Sequence, residues 1–525
     1  MCSFTDNNLF ILKGLYLILF ALLIAGCKKE KASTVNSQLA ATELVSTAHL
    51  KSLKINGADC ALDTSTNTFY FPVTTGATLN NYKVSFDTST TAVMFDNVKA
   101  VNNATVSYPL ITNQQVKIQA LDKFNKAINF TLIITGMAIV ELNTGQAIGD
   151  DSVKGTFNII NPNYVAQNSQ LEISSNISIA IRGATSRVYP KNSYLMHLID
   201  AQGNASDVSL LGLRTDNSWI LDAEYIDQAR MRNRVCTDIW NSFNNVPYIA
   251  SEPTAFNGTR GYMSEVILNN KYWGLYCFTE KLDRKQLQLN KTYGDMYKAE
   301  ENIPTVSFYD ASIPYDNSSD TWAGWELEYP DLGDTPAPNW GYLFNIQNFV
   351  ASATDGQFSN QIASMVDINN MVDYYIFYNT IEGLDNQAKN TYFSFYNYKT
   401  DGNFFYSPWD LDGTLGRNYD GTYLPSAIIG PSGNNLFLRL VNLNPDNYKQ
   451  LLKARWNSLK TNQLSVTTVT ASIEAYRALL VNTNAFAREM ATWNNITQNL
   501  NTETSYIETW YSAQYNLMDS YINGL

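Results

Sequence analysis

L-D-N-Q-A-K-N at 384–390 and P-W-D-L-D-G-T-L-G at 408–416 are the stretches on which the reading of this chain turns. Between them, Thr391 to Tyr398 alternates as a strand does, Lys399-Thr400-Asp401-Gly402 has turn chemistry, and Asn403 to Ser407 reads as the returning strand. With the turn centred near residue 400, positions whose numbers sum to about 800 should face one another, which predicts Asn390 opposite Asp410. Asp412 follows two residues on and keeps to the same face, while Asp385 lies in the loop that enters the first strand. Asp and Asn also end strands and solvate turns, but here they flank Trp409 and apolar strands rather than polar loops. Oxygen ligands of this kind suit magnesium or manganese rather than zinc. The set is what phosphoryl transfer requires: one carboxylate to orient a hydroxyl nucleophile, then Asn and Asp oxygens to hold a metal on nucleotide phosphates.

A second constellation runs through Ile181-Arg182-Gly183-Ala184-Thr185-Ser186-Arg187 to Lys191 and Tyr194. A strand turning at Gly183 would expose backbone N–H groups and two hydroxyls, with Lys191 entering the next strand, so phosphate oxygens could meet amides and an ammonium group. The same pattern would serve a solvated hairpin turn. No G-x-x-x-x-G-K-[ST] loop and no G-x-G-x-x-G occurs, so any nucleotide is held in another way.

Composition narrows the rest. The formal net charge is -12 and the pI about 4.8, a balance that repels nucleic-acid phosphates and anionic membrane surfaces. Two histidines, His49 and His197, are too few and too isolated for a histidine-rich zinc site or a Ser-His-Asp triad. Cys60, Cys236 and Cys277 spell no disulfide framework, and the last two sit in apolar helical and strand settings as small hydrophobes.

Lys13 precedes a thirteen-residue apolar run, Gly14 to Gly26, the length of a signal-peptide core rather than of a bilayer span. It ends in Leu23-Ile24-Ala25-Gly26-Cys27, which resembles a bacterial lipobox and implies a lipidated Cys27 holding the chain to the bacterial envelope, expected at the outer membrane. Residues 28–47 read as a tether. Residues 48–137 carry short alternating runs separated by Asn, Asp, Gly and Thr, the pattern of an immunoglobulin-like β-sandwich acting as a spacer or adhesion module. From Ala138 strands and helices mix, so the fold class is α+β. Leu221 to Phe243 shows helical spacing, Asn269-Asn270 a tight turn between two strands, 301–356 a long insertion or lid, and Met371 to Glu382 an apolar helix. The final eighty residues have helical spacing and form a C-terminal helical subdomain.

Five ordered blocks carry a resemblance. I-R-G-A-T-S-R-V-Y-P-K-N-S-Y, L-L-G-L-R-T-D-N-S-W-I-L-D-A-E-Y-I-D-Q-A-R-M-R-N-R, Y-W-G-L-Y-C-F-T-E-K and the two opening stretches resemble the CotH family of spore-coat-protein-H-like kinases, over 138–525. The resemblance implies an atypical protein-kinase-like fold that uses ATP and Mg2+ or Mn2+ to phosphorylate Ser or Thr of a secreted or envelope protein. By motif position it makes Asp385 the catalytic base, Asn390 and Asp410 metal ligands with Asp412 a second candidate, and Lys191 the phosphate-contacting lysine. Arg182, Ser186 and Arg187 would support the phosphates, and Glu280 would orient a lysine or face the nucleotide. Asp222, Asp227, Arg230, Arg232 and Asn233 also belong to the pattern, and buried ion pairs holding a helix to a sheet account for them. Two competing readings use the same residues or surfaces: a non-catalytic surface lipoprotein that binds a glycan or protein through its many aromatic rings, and transfer of phosphate or nucleotide to a sugar or lipid.

Overall fold

Residues Gln115–Leu121 bury Val116, Ile118 and Ala120 and turn Gln115 and Lys117 outward, the period-two pattern of a sheet with one covered face. In the computed structural model, which describes residues 49–525 apart from 88, 312 and 334–336, this strand lies in a six-stranded sheet. That sheet shares a core with a four-stranded one, through Leu53 and Val84 on one side and Phe69, Val116, Ile118 and Leu132 on the other. Asn56, Asn67, Asn103, Asn113 and Asn125 take positive φ between these strands, a conformation that asparagine tolerates better than most residues. The expected signal sequence, the expected lipidation site at Cys27 and the expected tether lie outside the described residues. Among the described residues no helix is long and apolar enough to cross a membrane.

A closed seven-stranded barrel follows. Its strands are β1 (Ala138–Thr144), β2 (Val153–Ile160), β3 (Glu172–Arg182), β4 (Ser193–Ile199), β5 (Ser218–Asp222), β6 (Gly261–Leu268) and β7 (Lys271–Glu280). Neighbours pair antiparallel except β1 and β6, whose parallel pairing closes the barrel. Val140, Phe157, Ile177, Met196, Trp219 and Phe278 fill it. The expected Asn269-Asn270 turn joins β6 to β7, with both residues at positive φ. Every described residue falls in one compact unit, Ser46–Leu525. The boundary expected near residue 137 lies just before β1, yet Ile139, Ile160, Ile267 and Tyr272 of the barrel belong to the N-terminal core, and Tyr70 stacks on Tyr272 at 5.2 Å.

The helix expected from Leu221 to Phe243 is shorter. β5 runs to Asp222, and helix α1 spans Arg232–Phe243. The Arg230 guanidinium explains the intervening loop, because it donates to the carbonyls of Glu224, Tyr225 and Asp227 at 2.9, 2.6 and 2.7 Å and so takes the place of helical bonds.

A five-stranded sheet comes next: β8 (Asp295–Ala299), β9 (Thr321–Trp322), β10 (Trp325–Tyr329), β11 (Thr391–Phe395) and β12 (Phe405–Pro408), ordered β9-β10-β8-β11-β12. The segment over 301–356, expected as a long insertion or lid, is packed into this body. It supplies β9 and β10 and buries Val306, Phe308, Trp322, Trp325 and Trp340 in the largest core, because indole and phenyl surface of that extent is stable only when covered. Helix α2 (Ile368–Ile381) is buried from Asn370 to Ile381 and forms the centre of that core. The expected C-terminal helices are present, among them α3 (Ala485–Thr492) and α4 (Leu500–Gly524). The architecture is α+β.

Candidate functional site

Two loops at the ends of buried elements meet in one cleft. The first leaves α2 at Glu382, whose positive φ ends the helix, and passes through a short 3-10 turn, Asp385–Gln387, into β11. The second leaves β12 at Pro408 and carries Trp409, Asp410 and Asp412. Asn386 joins them: its buried amide donates to the carbonyls of Asn390 and Trp409 at 2.9 and 2.8 Å, and its own carbonyl accepts from the Tyr374 hydroxyl of α2. Arg182, Gly183, Ser186, Asp222, Glu224, Lys298, Asp385, Lys389, Asn390, Asp410 and Asp412 all line this cleft.

The β11–β12 register pairs Thr391 with Pro408 and Tyr392 with Ser407, one residue off the expected sum. Asn390 therefore faces Trp409, whose N–H donates to the Asn390 carbonyl at 3.1 Å. The convergence survives because Asn390 and Asp410 both take left-handed φ, 54° and 57°, which turns the chain out of the ladder at each strand end. Gly183 is needed opposite them: its φ is 98°, and a Cβ there would lie 2.0 Å from Ser186 Oγ.

The electrostatics are dominated by crowded acids. Burial raises the Asp385 carboxyl above the usual range, against the opposing pull of Lys389. Asp410 is exposed at its surface yet lines the cleft among other acids; desolvation, with repulsion from Asp222, lifts it to about 6, and Arg182 opposes the shift. Burial and the neighbouring Asp410 and Asp222 push Asp412 well above its ordinary value. Arg182, whose guanidinium lies 5.0 Å from the Trp409 ring centroid, and Lys298, paired with Glu300, stand on the same walls. A cation among these acids would relieve their repulsion. Among the described residues no three Cys, His, Asp or Glu side chains are gathered to hold a metal by themselves. Two aspartates with an asparagine amide, completed by phosphate oxygens and water, are nevertheless the ligand set magnesium commonly takes on a nucleotide. The residues present fit that ion.

Three expected site residues are otherwise engaged. Lys191 borders the cleft, but its ammonium group is wholly buried and donates to Glu489 Oε1 at 2.7 Å, to the Ala223 carbonyl at 2.9 Å and to the Leu275 carbonyl. A lysine has three donors, so none is left for a phosphate oxygen. Glu280 is also wholly buried and accepts from Arg260, from the Arg214 N–H and from Gln286. It ties strands and loops together and does not line the cleft. Arg187 is exposed, pairs with Asp150 at 2.9 Å and does not line the cleft. Asp227, Arg230 and Arg232 form buried ion pairs as expected, the two arginines with Glu489 and with Asp227 and Glu503. Asp222 differs from that group: held by Ser193 Oγ at 3.1 Å and Asn233 Nδ2 at 2.7 Å, it lines the cleft. Lys298 and Lys389 were missed. Lys389 lies inside the motif itself, one residue before Asn390, and the run D-N-Q-A-K-N was signal enough.

Glu382, at the hinge between α2 and the site loop, is 3 % exposed and has an unpartnered Oε2. Burial raises its carboxyl from 4.5 to about 8, partly offset by a hydrogen bond with the Ala427 backbone. Its neutral form is favoured in the fold, so its contribution to stability is complete below the unfolded value and is lost as pH rises through the folded one. Glu382→Gln stays neutral throughout. Between pH ~5 and ~9 the wild type should lose roughly 1–3 kcal/mol relative to this variant, read by chemical denaturation at both pH values.

A family model described as CotH kinase protein matches residues 179–518. Inner spore coat protein H of Bacillus subtilis (strain 168) is 23% identical over 309 residues, which cover 58% of this chain and 78% of that protein. The matched span contains Arg182, Asp222, Asp385, Asn390, Asp410 and Asp412, so the loops that meet in the cleft all lie within it. The chain belongs to the CotH kinase protein family.

Proposed function

We propose that the chain is a protein kinase: it transfers the γ-phosphoryl group of ATP to a Ser or Thr hydroxyl of a secreted or envelope protein. On this reading residues 138–525 are an atypical kinase-like catalytic body, residues 48–137 an immunoglobulin-like spacer, and Cys27 a lipid anchor in the bacterial envelope. The observation that carries it is the convergence of Asp385, Asn390, Asp410 and Asp412 on one cleft whose acids are raised by burial and mutual repulsion. Such a cleft is poised to take a positively charged partner, and Arg182, Lys298 and Lys389 stand beside it for phosphate oxygens.

Asn390, Asp410 and Asp412 would hold Mg2+ or Mn2+, which supplies charge neutralisation across the phosphates. Asp385 orients the acceptor hydroxyl and takes its proton as the new O–P bond forms; the bond from the γ-phosphorus to the bridging oxygen breaks and ADP leaves. Arg182 and Lys298 stabilise negative charge on the transferring group. With γ-labelled ATP, Mg2+ or Mn2+ and a generic protein acceptor, the full chain should move label onto Ser or Thr. Label found only in free phosphate, or on a sugar or lipid acceptor, would count against the protein-kinase assignment.

A further inference from the structure

Two acids, Asp222 and Glu224, line the barrel side of the cleft, apart from the loop that carries Asp410 and Asp412. Glu224 follows β5 by two residues and has φ 50°, a left-handed conformation that is rare for a side chain of this kind. The backbone is locked there by Arg230, which grips the Glu224 carbonyl, and by Lys191, which grips the carbonyl of Ala223. The result is a carboxylate that is 3 % exposed and has no hydrogen-bond partner on either oxygen, among the described residues. A buried carboxylate without donors is costly, and folds do not ordinarily keep one in a strained backbone without an occupant to offset it.

The surroundings indicate the occupant. Glu224 lines both the main cleft and a cavity of about 20 Å3 behind it, bordered by Asp222, Asn233, Thr237, Thr279 and Asp410. That volume accommodates one water-sized body. Arg234, on the cavity wall, donates from Nε to Asp238 at 2.9 Å and from Nη2 to the Thr259 carbonyl at 2.7 Å. Asp222 receives one hydrogen bond on each oxygen, from Ser193 and Asn233, which leaves lone pairs on both.

We propose that Glu224 and Asp222 together hold a second divalent cation, Mg2+ or Mn2+, separate from the one assigned to Asn390, Asp410 and Asp412. Two carboxylates are completed by water, or by phosphate oxygens when nucleotide is bound. The inference deepens the kinase reading and rests on the same cleft, but the cation itself needs no ATP. Its test is therefore run without nucleotide: Mn2+ bound per full chain is counted by electron paramagnetic resonance of the free ion at millimolar metal. Two ions are expected for the wild type and one for Glu224→Gln. Asp222→Asn carries the same expectation for ion count should Glu224→Gln fail to fold. Asp410→Asn should lose the other ion. An equal count in wild type and Glu224→Gln, or no bound Mn2+ in the wild type, would overturn the second site. Neither result touches the kinase reading, whose test is label transfer from ATP.

Discussion

Asp385→Asn is expected to lower phosphoryl transfer by roughly 10²–10⁴-fold while leaving the melting behaviour of the chain close to wild type. The fold gives a reason to expect both halves of that result. The 3-10 turn that carries Asp385 is held by its neighbours rather than by the aspartate: Asn386 bridges the two strand ends, Tyr374 fixes the Asn386 carbonyl, and the Gly383 N–H donates to the Tyr378 carbonyl. Replacing a half-buried carboxylate by its isosteric amide removes a proton acceptor and little else. On the proposed mechanism Asp385 meets the acceptor hydroxyl rather than the nucleotide, so the loss should fall on kcat, with KM for ATP within about threefold of wild type. Steady-state kinetics with labelled ATP reads both. Unchanged kcat would remove Asp385 from the mechanism, and a loss confined to KM would move it to the nucleotide.

What the sequence makes legible depends on how far apart the partners lie. Asp385, Asn390 and Asp410 are joined by one hairpin, so alternation and turn chemistry suffice to bring them together; the error of one residue in register is already present at Ser394 and Phe405 beside the turn, while Asn390 and Asp410 leave the ladder with left-handed φ. Asparagine and aspartate favour that conformation, so a break in the ladder at those positions was readable too. Lys191 and Glu280 were not readable in the same way. The carboxylate that claims Lys191 is Glu489, 298 residues on, and Glu280 takes donors from Arg214 and Arg260, 66 and 20 residues before it. No local pattern records pairings of that reach; only the closing of the barrel, in which β5 lies between β4 and β7, and the packing of α3 on β7 decide them. The segment 301–356 failed for a different reason. Its Pro, Asp and Asn content reads as loop, but Trp322, Trp325 and Trp340 were there to say that it packs.

Glu489→Ala should destabilise the chain by roughly 3–5 kcal/mol, the cost expected when one partner of a buried ion cluster is removed and its counter-charges stay behind. Glu489 Oε1 accepts from Lys191 at 2.7 Å and Arg230 Nε at 2.8 Å, and Oε2 accepts from the Leu275 N–H at 2.8 Å. All three side chains are at zero exposure. Burial alone would raise the Glu489 carboxyl, but Lys191 and Arg230 hold it below its ordinary value; burial pulls Lys191 down to about 8 even against the raising effect of Glu489. Truncation would leave two buried cations facing one another and the Leu275 N–H of β7 without its acceptor, so the barrel would lose one of its ties to α3, the Arg488–Glu265 pair remaining. Lys191→Met provides the contrast. It replaces the ammonium with an apolar side chain of similar length and leaves Glu489 paired with Arg230, so it should cost less than Glu489→Ala, on the order of 1–3 kcal/mol. Denaturant unfolding at constant m reads both values. The same pair of variants decides what Lys191 is for. Since its ammonium has no donor left for phosphate, a Lys191→Met chain kept below its melting transition should bind ATP within about threefold of wild type. A variant that melts like the wild type yet loses ATP would return Lys191 to the nucleotide and show that the ammonium leaves Glu489 when ATP arrives.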